Sequence, residues 1–159
     1  MEMAIARNPN YNPVNSLFRG AMAHFRLRYG SWVASGILFG MGLVMMQNQG
    51  LFENDPHADT YAYLTRLASQ DFWLYVMLLL GGGRLFALII NGTFPTFTLS
   101  PHIRAACSFL SCFVWFQLIF GAFSLPHWNF AAPVYVGLFI LDVVNTYIAT
   151  LEIDRPEGE

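Results

Sequence analysis

Apolar residues run along this chain in four long stretches separated by short polar segments. The clearest is Phe72 to Asn91, FWLYVMLLLGGGRLFALIIN. About 20 predominantly apolar residues suffice to cross a bilayer as a helix, and this stretch reaches that length with a single charge, Arg84. Ser31 to Gln47, Ala105 to Phe123 and Val134 to Leu151 repeat the pattern. Upstream, Val14, Leu17, Phe18, Ala21, Met22, Phe25 and Tyr29 recur at three- and four-residue steps, with Arg19 and Arg26 together on another face. That spacing predicts an amphipathic helix. A basic helix beside a span lies in the headgroup layer, its arginines toward anionic lipid.

The expected fold is all-α: an integral membrane four-helix bundle with an N-terminal amphipathic interfacial helix. Residues 1–13 are a loose tail, 14–29 the interfacial helix and 30–151 the four-span domain. Its spans run over about 31–47, 72–91, 105–123 and 134–151, and 152–159 form an acidic C-terminal tail. In the first loop, Thr60 to Ser69 is expected to form a short helix lying on the surface. Ser100-Pro101 reads as a helix start, the serine capping and the proline in the first turn.

Composition agrees with spans rather than a soluble core. The 159 residues are 55% apolar and 11% charged, where globular domains carry about 25% charged residues. A net charge of −2 and the lack of a basic, aromatic-studded patch exclude a nucleic-acid partner. Four arginines (Arg7, Arg19, Arg26, Arg28) precede the first span, and Arg104 lies in the second loop. The first loop has only Arg66 and the third loop has none. The positive-inside rule then sets both termini and the second loop on the cytoplasmic side of a bacterial inner membrane.

This orientation gives Arg84 a partner. Spans two and four run in the same direction. Arg84 sits seven residues before Asn91, ~10 Å from the cytoplasmic end at 1.5 Å per residue, and Asp142 nine before Leu151, ~13 Å. The basic and the acidic residue inside the spans thus lie at nearly one depth, so Arg84 and Asp142 are expected to pair. Asn145 is a further partner, and Gln117 of span three hydrogen-bonds another helix as part of the same intramembrane polar network. A proton relay uses several carboxylates or histidines in a chain; with one carboxylate, the pair reads as helix-to-helix glue.

Gly36 and Gly40 form GxxxG and are expected to pack on another span of the same chain, with dimerisation the alternative. Gly81, Gly82 and Gly83 allow close helix contact or a local bend. Cys107 and Cys112, five apart, are neither a redox pair nor a metal pair. Asp55, His57 and Asp59 read as a solvated acidic loop rather than a metal site. His24, His57, His102 and His127 are scattered over both sides of the membrane. No nucleophile–base pair, phosphate loop or cofactor motif stands out, so neither metal nor cofactor is expected, and the chain is not read as an enzyme.

The segments RYGSW at 28–32, GGGRLFALIING at 81–92 and SPHIRA at 100–105, with Asp142 and Asn145 in the last span, carry a resemblance. Over roughly Tyr29 to Tyr147 the chain resembles small multi-span membrane proteins encoded in tailed-phage and prophage genomes of proteobacteria. The resemblance implies an inner-membrane location and a phage origin, and carries over no catalytic residue. The function expected is membrane association or protein–protein interaction, with the lipid bilayer, a host membrane protein or a second copy as partner. The alternatives are a holin-like pore-forming lysis protein and an oligomeric small channel or transporter.

Overall fold

A computed structural model describes residues 28–54, 58–93, 99–125 and 130–153. Four long helices dominate: α1 (Tyr29–Gln47), α4 (Gln70–Thr93), α5 (Ser100–Phe123) and α6 (Ala131–Ile153). Between α1 and α4 lie α2 (Leu51–Asn54), a 3₁₀ turn (Ala58–Tyr61) and α3 (Ala62–Leu67). All four long helices are long and apolar enough to cross a membrane. The interfacial helix expected over 14–29 falls outside the described residues up to 27. Tyr29 is already the first residue of α1.

The long helices form a ring in the order α1, α4, α5, α6. The pairs α5/α6 and α1/α4 pack most extensively, α4 joins α5, and α1 meets α6 least. Helical period explains the faces. In α1 the buried positions are Ser31, Ala34, Ser35, Leu38, Gly42 and Met45, at steps of one, three and four. Leu38, Met77, Trp115, Leu118 and Leu138 meet in the core. The outward faces are apolar as well: Leu79, Phe86, Phe109, Phe113, Ile140 and Val144 are exposed. A soluble helix turns a polar face outward; apolarity on both faces is compatible with a bundle surrounded by lipid.

Two glycine expectations divide. A Cβ on Gly81 would lie 2.5 Å from the Phe39 backbone nitrogen and 2.9 Å from its Cα. The α1 and α4 backbones therefore touch there, as close glycine contact predicts. Gly36 and Gly40 do not pack on another of the described spans: among the described residues, neither would meet any atom within 4 Å through an added Cβ. They lie opposite the Ser31–Leu38–Gly42 face, and Gly42 instead carries the close approach, to Leu78.

The segment between α1 and α4 does not lie loosely on the surface. Leu64 of α3 is fully buried, and Phe52 of α2 joins the same core. The Trp73 indole donates to the Leu64 carbonyl at 2.8 Å. Gln70 fastens the start of α4, its amide nitrogen donating to the Asn48 carbonyl at 2.8 Å and its oxygen accepting from the Phe52 backbone N–H at 3.1 Å. At Gly121 of α5 the Thr60 carbonyl packs where a Cβ would stand. This segment closes one end of the ring. Ser100 is not a cap either: it is the first residue of α5, with Leu99 at the N-cap position. Its hydroxyl donates to the Ala87 carbonyl at 3.1 Å, tying α5 to α4.

Candidate functional site: a buried polar network across four helices

Each long helix contributes a polar side chain at one level of the core. Ser31 comes from α1, Arg84 from α4, Trp115 from α5, and Asp142 with Asn145 from α6. Arg84 is 1% exposed and Asp142 0%. Arg84 Nη1 donates to Asp142 Oδ1 at 2.5 Å, and Arg84 Nε donates to Ser31 Oγ at 3.0 Å. The Trp115 indole N–H donates to Asp142 Oδ2 at 2.8 Å. Asn145 Nδ2 reaches Asp142 Oδ1 at 3.4 Å, a long contact. Both carboxylate oxygens are thus engaged, and the two opposite charges cancel inside the bundle. A buried carboxylate survives in a medium without water only when its lone pairs find donors in this way.

Local structure sets the side chains. Gly81, one turn before Arg84, seats α4 against α1 at Phe39, so Arg84 on the same α4 face approaches Ser31. Ser35 donates back to the Ser31 carbonyl at 2.6 Å, which meets its own hydroxyl's need within α1. Thr146 does the same at the Asp142 carbonyl, 2.8 Å away. Gly30 lets α6 approach: a Cβ there would stand 2.7 Å from Leu141 Cδ1 and 3.6 Å from Asn145 Oδ1. Arg84 Nη2 is buried without a hydrogen-bond partner among the described residues.

The structure therefore brings together three of the four residues expected in the network and leaves out Gln117. Gln117 is two residues from Trp115, about 200° around the helix at 100° per residue, so it faces away from Asp142. Two members escape a reading that looks for charge. Ser31 stands at the edge of its span. Trp115 counts as apolar, yet tryptophan favours the membrane interface and its N–H needs an acceptor when buried. A mid-span tryptophan is therefore the legible signal.

A second cluster forms at the end of the ring where α1 and α5 begin and α6 ends. Glu152, expected in the acidic C-terminal tail, belongs to the last turn of α6. Its Oε2 accepts from Arg28 Nη2 at 2.9 Å and from Arg104 Nη1 at 2.7 Å. Burial lowers the Arg28 pKa, the positive charge of Arg104 lowers it further, and Glu152 works in the other direction. Arg104 is 2% exposed, and its Nε is buried without a partner among the described residues. Of the residues not read as a site, His102 is exposed, and the side chains of Asp55, His57 and Asp59 lie outside the described residues.

Trp115→Phe keeps the ring and removes the N–H. It is expected to lower the unfolding free energy by about 1.5–3 kcal/mol, the range for a hydrogen bond to a charged group. Thermal unfolding in detergent micelles measures it, and an unchanged midpoint would show that the indole contact contributes nothing. No protein-family model, curated protein or solved structure matches this chain.

Proposed function

We propose that this chain is a multi-span protein of the bacterial cytoplasmic membrane that acts through what it contacts there, without chemistry of its own. The observation that supports this reading is the inward-turned network: Arg84 and Asp142 engage each other and a residue of every other long helix. A relay presents a run of titratable groups leading toward both faces. Here apolar residues, Leu38, Met77, Leu118 and Leu138, pack the core. The charges then hold four helices in register and leave the outer faces for recognition. The arginine distribution directs both termini to the cytoplasm, and the resemblance to phage and prophage membrane proteins adds a host-modifying role. The partner is a host membrane protein or a second copy.

One observation favours the holin-like alternative. Gly36 and Gly40 face away from the core with open space around them, and glycines four apart let helix backbones of separate copies approach closely.

The two readings separate on inducible expression in a bacterium with a membrane-potential dye, followed by carbonate washing of the membranes. The expected result is protein retained in the washed membrane, fluorescence from green fluorescent protein fused at either terminus, and an unchanged potential. Release by carbonate would sink the membrane reading. Abrupt depolarisation on induction would replace the interaction reading with the pore.

A further inference from the structure

Three chain segments converge on the Arg28–Glu152–Arg104 cluster. Arg28 immediately precedes α1, Arg104 lies in the second turn of α5, and Glu152 is one residue from the end of α6. All three sit at the end of the ring where α1 and α5 begin and α6 ends. Two guanidiniums share a single carboxylate oxygen, so these three side chains together carry a net charge of +1. That surplus is held in a largely buried place: Arg104 is 2% exposed and its Nε has no partner among the described residues. A buried guanidinium N–H without an acceptor is costly, and a neighbouring anion removes that cost.

We propose that this cluster is a binding site for the phosphate of an anionic lipid headgroup, the inference resting on the membrane reading above. Arginine forks match phosphate oxygens geometrically. The cluster reaches the surface at Arg28 and Glu152, whose side chains are 16% and 22% exposed. A phosphate arriving there takes over part of the place Glu152 holds and supplies the acceptor that Arg104 Nε lacks. Its position at the start of α5 adds the positive end of a helix dipole. A lipid is favoured over a soluble anion because the site lies at the ends of three spans, at headgroup depth, where anionic lipid is concentrated.

The test uses the full chain in dodecyl maltoside micelles, titrated with dioleoylphosphatidylglycerol or with phosphatidylcholine of the same acyl chains. Thermal unfolding and native mass spectrometry read the binding. The phosphatidylglycerol is expected to raise the midpoint and remain bound, and the phosphatidylcholine is not. Arg104→Gln and Arg28→Gln should each weaken the apparent affinity about tenfold, the scale of one charge-assisted hydrogen bond. Arg28, being partly exposed, gives the reading if Arg104→Gln does not fold. Glu152→Gln releases both arginines and should strengthen binding. Arg66→Gln, on α3 at the other end of the ring, should change nothing.

No preference between the two lipids, weaker binding in Glu152→Gln, or equal weakening by Arg66→Gln would each overturn the site. An equal shift from inorganic phosphate would assign it to a soluble anion and overturn the lipid. A chain that stays soluble without detergent would instead fail the membrane reading, so the two failures are distinguishable.

Discussion

Replacing Asp142 with alanine alone is expected to cost the folded bundle about 3–5 kcal/mol, the range for breaking a buried ion pair from one side. The loss has three parts. Arg84, 1% exposed, keeps its charge with no counter-ion. The Trp115 indole N–H and the Asn145 amide lose their acceptor. The methyl group fills less space than the carboxylate. Inside the bundle a stranded guanidinium has no water to turn to, so the helices are expected to separate.

Double substitutions tell the contributions apart. Arg84→Asp with Asp142→Arg restores charge balance and is expected to recover part of the stability lost by either single swap. Recovery stays partial because Trp115 donates only, and an arginine at 142 offers it no lone pair. Arg84→Met with Asp142→Leu removes both charges. It is expected to unfold near the parent midpoint, since a buried pair contributes little net stability against apolar groups of similar volume. Thermal unfolding in micelles, with the monodisperse fraction on size exclusion, gives the value for each variant. An Asp142→Ala protein as stable as the parent would show that the network does not hold the helices together.

The contact between Arg84 and Asp142 was legible because depth along a span is arithmetic. Rise per residue, counted from the C-terminal ends of the two spans, brought the two within a turn of each other, and topology put them in helices running the same way. Rotation about a helix axis is harder to read, and the misses lie there. In α4 the arginine fixes the phase: Gly81, three residues earlier, must face inward with it. In α1 no charge does so, and the GxxxG pair was assigned inward on type alone. The phase marker was Ser31 with Ser35, four apart and joined by their own hydrogen bond. They place Leu38 and Gly42 inside and turn Gly36 and Gly40 out. Gln117 was missed in the same way, as a polar residue counted without its angle. Glu152 was lost to the uncertainty of helix ends: two residues more of α6 turn a tail carboxylate into the anchor of two arginines.

That difference in rotation gives the second large effect, a contrast among glycine-to-alanine changes that are chemically identical. Alanine is favoured over glycine in a helix interior by about 1 kcal/mol. At Gly36 and Gly40 the new methyl meets nothing within 4 Å among the described residues, so each change is expected to be neutral or to stabilise by up to about that amount. At Gly81 the methyl would stand 2.5 Å from the Phe39 nitrogen. The obstacle is backbone, which cannot rotate aside, so α1 and α4 must move apart. Overpacking of this kind costs typically 1–3 kcal/mol, and here the separation also lengthens the Arg84–Ser31 contact at 3.0 Å. Gly121→Ala displaces the Thr60 carbonyl and the 3₁₀ turn that carries it, opening the end of the ring closed by Leu64 and Phe52. The expected order of unfolding midpoints in micelles is Gly36→Ala and Gly40→Ala at or above the parent, with Gly81→Ala and Gly121→Ala well below it. Equal effects at Gly36 and Gly81 would mean that α1 is rotated from the orientation described, and with it the face that brings Ser31 to Arg84.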